Sequence, residues 1–173
     1  EMSFVEQDDI FSTLEPVFFE LFKEFGKNKS VSKLPFKRIK YDLSMLKYGT
    51  DKPDLRNPIE IYDVTEIMKS EGVKLDIFKK LISKGSIVRA IPAPNTSNKP
   101  RSFFDDFNNW AKEEGAKGLG YILFEKEKEK LVGKGPIAKF FSDKSLNELI
   151  KICNLKEKDS VFFSCDTKKN VEK

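Results

Sequence analysis

The sequence predicts an α+β fold in which helices back an antiparallel β-sheet. From about residue 73 onward, the apolar pattern gives the order strand, strand, helix, strand, strand, helix, strand. Several links between these segments are of hairpin length, which favours direct antiparallel pairing of neighbouring strands. The 16 phenylalanines and a hydrophobic content of 39% provide enough apolar surface for a core.

The first element is an amphipathic helix predicted over residues 8–25. Its apolar residues recur at steps of three and four, and they are Ile10, Leu14, Val17, Phe18, Leu21, Phe22 and Phe25. Gly26 lies where a helix commonly stops. Pro16 cannot donate a backbone hydrogen bond inside the helix. We therefore predict one helix that bends near residues 12–16, with two separate helices as the alternative.

Further along the chain, short segments alternate between extended and helical patterns. Strands are predicted from β-branched and aromatic residues at residues 59–64, 75–78, 86–91, 119–125, 136–141 and 160–164. Helices are predicted from apolar spacing and capping residues at residues 42–47, 65–70 and 102–114, from residue 143, and from residue 167. We expect the strands at 75–78 and 86–91 to form a hairpin, and residues 126–130 to form a solvated turn.

The composition narrows the chemistry that the chain can perform. It contains no histidine, which is the commonest general base and metal ligand. Cys153 and Cys165 lack the spacing of a metal site, and we interpret them as reduced thiols of a cytosolic protein. Adjacent carboxylates such as Asp105 and Asp106 would point apart on a helix. From the residues alone we predict no catalytic, cofactor-binding or metal site, and no membrane span.

The densest basic stretch without balancing acids runs from Lys27 to Lys40. The net charge of +4 is too small to indicate nucleic-acid binding, because binding requires charges clustered on one face. Phosphate contacts need only positioned charge. The candidate nucleic-acid contacts are therefore Lys33, Lys37, Arg38 and Lys40. The alternative is that these residues form a solvated loop.

The run YGTDKPDLR, residues 48–56, is the most distinctive segment of the chain. It resembles the YGSDKPDLR motif of bacterial-type aspartyl-tRNA synthetases, with Thr50 in place of serine. Four other segments resemble this family and occur in the family's order. Glu1–Val5 resembles the end of class II motif 2, and Glu114–Leu119 resembles the YGAKGL stretch. Pro136–Phe140 resembles the SPxxKFL segment, and Ser160–Phe163 with Asp166 resembles the IFFGAD segment. Ser164 and Cys165 depart from the Gly-Ala of the last pattern.

The resemblance implies that the chain is a fragment of such an enzyme. Residues 1–40 would be a partial catalytic-domain segment with a long helix, and residues 41–72 a connector that contains YGTDKPDLR. Residues 73–166 would be the GAD insertion domain, with a DCoH-like β-β-α-β-β-α order. Residues 167–173 would begin a helix that returns to the catalytic domain. The catalytic residues of the family would lie outside this chain.

The resemblance also implies a function for the parent enzyme. It would activate aspartate with ATP and Mg and attach it to tRNA, as a cytoplasmic homodimer without a membrane segment. The fragment alone would be inactive, either a tRNA-positioning or a structural accessory, and the four basic candidates would contact tRNA. Two alternatives are a stand-alone nucleic-acid-binding α+β module and the GAD domain of a tRNA-dependent amidotransferase B subunit. The amidotransferase is disfavoured because the amino-terminal piece resembles the synthetase.

Overall fold

The computed structural model describes residues 1–172. The chain forms two compact units, Glu1–Lys40 and Tyr41–Lys173, called here the amino-terminal unit and the sheet unit. The predicted α+β class is confirmed, because the sheet unit contains a five-stranded antiparallel sheet with helices. Within residues 1–172, no helix combines the length and the apolar character that a membrane crossing requires.

The amino-terminal unit is built on one helix, α1 (Gln7–Phe25). Its start is capped reciprocally, and the Glu6 N–H donates to the Asp9 carboxylate at 2.9 Å. Pro16 lies inside the helix, so the prediction of one helix is correct and that of two is wrong. Seven apolar side chains of α1 are 40–71% exposed, and no residue of the helix is buried.

The sheet has the strand order β1-β2-β5-β3-β4, and every neighbouring pair is antiparallel. The strands are β1 (Tyr62–Asp63), β2 (Ile87–Ala93), β3 (Gly120–Glu127), β4 (Lys130–Lys134) and β5 (Ser160–Asp166). The last strand in sequence lies at the centre, where Phe163 pairs with Ala90 on one side and Gly120 on the other. The final strand therefore joins two halves of the sheet that would otherwise be separate.

Within residues 41–172, six further helices pack around the sheet. They are α2 (Tyr41–Tyr48), α3 (Thr65–Lys69), α4 (Asp76–Ile82), α5 (Arg101–Glu113), α6 (Asp143–Ile152) and α7 (Lys168–Val171), and a 3₁₀ turn covers Ala138–Phe140. Gly72 lies against the start of α6, where a Cβ atom would be 2.2 Å from Ser145 Oγ. A glycine is required here because any side chain would displace the serine that packs at the α6 cap.

The two faces of the sheet are covered by different helices. On one face, Phe163 and Phe124 join a core that also includes residues of α3, α4 and α6. On the other face, the Phe104 ring of α5 lies 4.4 Å from the Tyr121 ring and 5.6 Å from the Phe162 ring, between centroids. Alternation along β5 thus places Phe162 and Phe163 on opposite faces.

The predicted strand at residues 75–78 is wrong, and so is its hairpin with residues 86–91. These residues begin α4, which turns Phe78, Leu81 and Ile82 toward the core. Apolar residues at steps of three and four form one face of a helix. This spacing outweighs the short run that looks extended. As a result, α3 and α4 both lie between β1 and β2 in the chain.

The predicted strand at residues 136–141 is also wrong. Ile137 has helical backbone angles (φ −104°, ψ −11°), and a 3₁₀ turn follows it. The fourth strand lies earlier: β4 (Lys130–Lys134) begins at the last residue of the turn predicted at 126–130. The β3–β4 hairpin turns at Lys128 and Glu129, both at positive φ (44° and 68°). Such turns usually contain Asn or Gly. The turn nevertheless lies within the predicted residues 126–130, so its position is confirmed and only the strand after it is misplaced.

Candidate nucleic-acid interface

The four predicted contacts in the basic loop after α1 comprise three exposed lysines and one arginine that is bound to the helix. Three of the four predicted contacts are exposed and have no ion pair within residues 1–172: Lys33, Lys37 and Lys40. Arg38 instead packs on α1, where its Nη1 lies 2.6 Å from Asp8 Oδ1 and its Nη2 lies 3.8 Å from Glu15 Oε1. Its guanidinium also lies over the Phe11 ring, 4.5 Å from the centroid. Arg38 therefore holds the loop on the helix, while the lysines stay free for a ligand.

The YGTDKPDLR run, residues 48–56, is folded by local hydrogen bonds. The Ser44 hydroxyl donates to the Thr50 carbonyl at 2.7 Å. Arg56 binds Asp54 with two hydrogen bonds, Nε to Oδ1 at 2.8 Å and Nη2 to Oδ2 at 2.7 Å. These hydrogen bonds lower the pKa of Asp54 to about 2. The charges of Asp54 and Arg56 neutralise each other, so the pair fixes the shape of this run and does not form a binding site.

Glu60 joins the segments on the two sides of the YGTDKPDLR run. Lys47 Nζ lies 2.8 Å from one Glu60 oxygen, and the Tyr48 hydroxyl donates to the other at 3.2 Å. The hydrogen bond to Glu60 is the main reason that the pKa of Lys47 is raised. The Ile61 N–H also donates to the Lys47 carbonyl at 2.8 Å. The end of α2 is thus fixed beside the segment that enters β1.

An ion pair between Lys117 and Asp166 joins two distant segments of the chain. Lys117 Nζ donates to Asp166 Oδ1 at 2.9 Å, and the Thr167 N–H donates to the same oxygen at 2.7 Å. Asp166 is 4% exposed, and the hydrogen bond from Lys117 is the main cause that lowers its pKa. Gly115 and Gly118 adopt positive φ in the turn that carries Lys117. This turn therefore binds a carboxylate of the same chain.

A second group of cations, which the sequence analysis does not single out, surrounds α4. We call it the α4 lysine cluster, and it comprises Lys74, Lys79, Lys80, Lys84 and Lys139. The Lys74 N–H donates to the Phe140 carbonyl at 2.7 Å, which brings the segments 73–86 and 135–142 together. Asp76 is the only acid in these two segments. The predicted strand at 75–78 obscured this cluster, although Ile77, Lys80 and Lys84 have helical spacing.

The two cysteines are buried and free, as expected for reduced thiols. Burial raises the pKa of Cys153 to about 12 and is also the main cause of the raised pKa of Cys165. Both thiols therefore stay protonated at neutral pH and are poor nucleophiles. Among residues 1–172, no group of three or more Cys, Asp or Glu side chains is arranged to hold a metal ion.

Known proteins resemble the chain along its whole length. The family model described as the GAD domain matches residues 78–173. An aspartate–tRNA(Asp/Asn) ligase of Rickettsia bellii is 55% identical over 173 residues, which are 100% of this chain and 28% of that protein. Ligases of the same name from Methylocella silvestris (54%; 96% of this chain, 26% of that protein) and Beijerinckia indica (50%; 100% and 29%) are also similar. The chain thus spans 26–29% of the length of these curated relatives.

These comparisons confirm the resemblance that the sequence motifs indicate. The relatives are the predicted kind of enzyme, and the family model covers the region from α4 to α7, which contains four helices and four strands within the described residues. The match includes both Lys117 and Asp166, the pair that joins the α5–β3 turn to the end of β5. By its family match and by this architecture, the chain belongs to the GAD domain family.

Proposed function

We propose that this chain is part of an aspartate–tRNA ligase, in which its GAD domain positions tRNA and takes no part in the chemical steps. One observation carries the proposal: 50–55% identity to aspartate–tRNA(Asp/Asn) ligases over the whole chain. The parent enzyme activates aspartate with ATP and Mg and attaches it to tRNA. The names of the relatives, aspartate–tRNA(Asp/Asn) ligases, support the charging of both tRNA-Asp and tRNA-Asn. The parent is a cytoplasmic homodimer.

We propose four functional segments. Residues 1–40 are a piece of the catalytic domain, residues 41–72 are the connector, residues 73–166 are the GAD domain, and residues 167–173 return toward the catalytic domain. The apolar face of α1 supports the first assignment, because seven of its apolar side chains are 40–71% exposed. Surfaces of this kind usually pack against another part of a protein. The remainder of a ligase would supply that part.

The basic loop of the amino-terminal unit supports contact with tRNA. Its free lysines, Lys33, Lys37 and Lys40, can approach phosphates, because each is exposed and none has an ion pair within residues 1–172. Arg38 acts there as a positioning residue, since Asp8 and Glu15 already neutralise it. A loop held in this way presents its lysines from a fixed base on α1. Because the loop is already held on α1, less conformational entropy is lost when its lysines bind a ligand.

Two assays on the purified 173-residue chain test this function. We expect no ATP–pyrophosphate exchange with aspartate, because the catalytic residues of the family lie outside the chain. We expect a tRNA-Asp transcript to bind at low salt, with an affinity that falls steeply as salt rises, because phosphate contacts release counterions. Measurable exchange would contradict the non-catalytic role. Absence of binding at low salt would contradict tRNA positioning and favour a purely structural brace.

A further inference from the structure

The positive charge of this chain is concentrated in the region from residue 73 onward. Of the 32 Lys and Arg residues, 21 lie in residues 73–173, together with 14 of the 28 acids. Residues 1–40 carry seven of each sign and are balanced. A polyanion is attracted to clustered charge and not to the average. The region of the GAD domain is thus where a basic surface is expected.

The cations on the sheet unit differ in how far acids neutralise them. At the tip of the β3–β4 hairpin, lysines and glutamates alternate from Glu125 to Lys130. Lys134 lies 2.7 Å from Glu125 and 2.9 Å from Glu127. Lys126, Lys128 and Lys130 form no ion pair within residues 1–172, but three glutamates alternate with them and Glu127 lies opposite Lys130 in the register. The five lysines of the α4 lysine cluster also have no ion pair within residues 1–172, and Asp76 is the only acid in the two segments that carry them. The cluster is therefore the stronger attractor of the two surfaces.

The cluster also has a shape that suits an extended polyanion. The seven residues of α4 span about 10 Å at 1.5 Å per residue. Lys80 follows Ile77 by three residues on α4 and shares its outer face, and Lys84 is exposed in the turn directly after the helix. Ile77 is 70% exposed and adds an apolar contact between the charges. The Lys74 N–H is hydrogen-bonded to the Phe140 carbonyl at 2.7 Å, so the segment that carries Lys139 lies beside the one that leads into α4.

We propose that the α4 lysine cluster is the surface through which the sheet unit contacts the phosphate backbone of an RNA helix. This inference rests on the proposed tRNA-positioning function and assigns its surface. Proteins recognise RNA helices mainly through phosphate and 2′-hydroxyl contacts, without reading base sequence. Exposed lysines around one short helix supply such contacts. The interaction is therefore expected to depend on salt and to be insensitive to the sequence of the helix.

Three triple variants of the 173-residue chain locate the surface. The first removes cluster charges, K74Q/K80Q/K84Q. The second is matched in number and exposure and lies at the hairpin, K126Q/K128Q/K130Q. The third removes the free lysines of the basic loop, K33Q/K37Q/K40Q. All nine side chains are exposed, so each variant should keep the far-ultraviolet circular dichroism spectrum and the unfolding midpoint of the parent chain. The probe is a fluorescently labelled tRNA-Asp transcript, titrated at several salt concentrations.

We expect the cluster variant to lose about 10-fold in affinity at 0.1 M salt, while its slope of log affinity against log salt becomes shallower by roughly two to three. The hairpin variant should change affinity less than about twofold, because three glutamates alternate with its lysines and offset their attraction for a polyanion. An equal loss in the cluster and hairpin variants, or no loss in the cluster variant, would overturn the assignment.

Two further outcomes separate the inference from the function on which it rests. If the unmodified chain binds tRNA but only the basic-loop variant weakens binding, the tRNA-positioning function stands and the cluster assignment falls. If the unmodified chain does not bind tRNA at low salt, both fall. Vesicles containing phosphatidylserine serve as a second polyanion. Cluster-dependent binding to these vesicles with unchanged tRNA affinity would reassign the surface to an anionic membrane.

Discussion

Replacing Phe163 with alanine is expected to destabilise the sheet unit by about 3–5 kcal/mol. Phe163 is 0% exposed and lies on the central strand, between Ala90 of β2 and Gly120 of β3. Its ring joins the main core and lies 6.3 Å from the Phe141 ring, between centroids. Truncation removes apolar contacts from both halves of the sheet and leaves a cavity. Urea unfolding followed by the fluorescence of Trp110, the single tryptophan, measures the loss in this unit.

The matched control is Ile77→Ala, which truncates an apolar side chain that is 70% exposed on α4. Its expected effect is within about 0.5 kcal/mol, because surface substitutions away from specific features change stability little. A loss below about 1 kcal/mol for Phe163→Ala would mean that β5 is not the structural centre of the sheet unit.

Replacing Asp63 with alanine is expected to destabilise the sheet unit by about 3 kcal/mol. Asp63 and Arg89 are register partners on β1 and β2 and form an ion pair through Oδ2 and Nη1. The Arg89 side chain is only 9% exposed, so removal of the carboxylate leaves a buried charge without compensation. The Asp63 side chain is 43% exposed, which places the effect at the lower end of the range for broken buried pairs. The same urea titration measures it.

The double variant Asp63→Ala/Arg89→Met separates the buried charge from other effects. It should recover much of the lost stability, because an apolar side chain needs no counter-charge. Asp63 also accepts a hydrogen bond from the Thr65 N–H at 2.9 Å, so full recovery is not expected. A double variant as unstable as Asp63→Ala would show that the Thr65 contact, and not the uncompensated charge of Arg89, causes the loss.

The same ion pair should make stability depend on pH in the acid range. Burial opposes ionisation of Asp63, but hydrogen bonds to Thr65 and Arg89 outweigh it and lower the pKa. The stabilisation is therefore complete above the unfolded value of about 3.9 and is lost as the pH falls through the lower folded value.

The helices of this chain were more predictable than its strands. The long apolar spacings of α1, α5 and α6 fix an amphipathic face over several turns, which short segments cannot do. The strand predicted at residues 75–78 is wrong because a run of four apolar or acidic residues fits either a strand or the first turn of a helix. The turn of the β3–β4 hairpin lies where it is predicted, but the second strand is predicted too late, because Lys128 and Glu129 adopt positive φ without a glycine or asparagine to mark where β4 begins.

The candidate site was only partly predictable for related reasons. Basic residues can be counted from a sequence, but their partners depend on the fold. Arg38 was predicted as a contact, yet Asp8 and Glu15, which lie 30 and 23 residues earlier, neutralise it. The segments that carry Lys74 and Lys139 are adjacent only because the Lys74 N–H donates a hydrogen bond to the Phe140 carbonyl. Long-range proximity of this kind leaves no local pattern.

We propose that the GAD domain assists tRNA charging without forming the catalytic site. Register suggests how to remove it: Asp63 pairs with Arg89, and Arg89 pairs with Ser164. Asp63 and Ser164 are therefore two strand spacings apart, or about 10 Å. A linker of about five Gly and Ser residues spans this distance at 3.3–3.6 Å per residue. It can replace residues 64–163 in the full-length ligase.

The decisive measurement compares two activities of this deletion variant. ATP–pyrophosphate exchange reports aspartate activation, and aminoacylation reports transfer to tRNA. We expect exchange to stay within about twofold of the intact ligase, and kcat/KM for tRNA to fall about 10-fold, about 1.4 kcal/mol of transition-state stabilisation, through a raised KM. Loss of exchange together with charging, or charging at the full rate, would contradict the account.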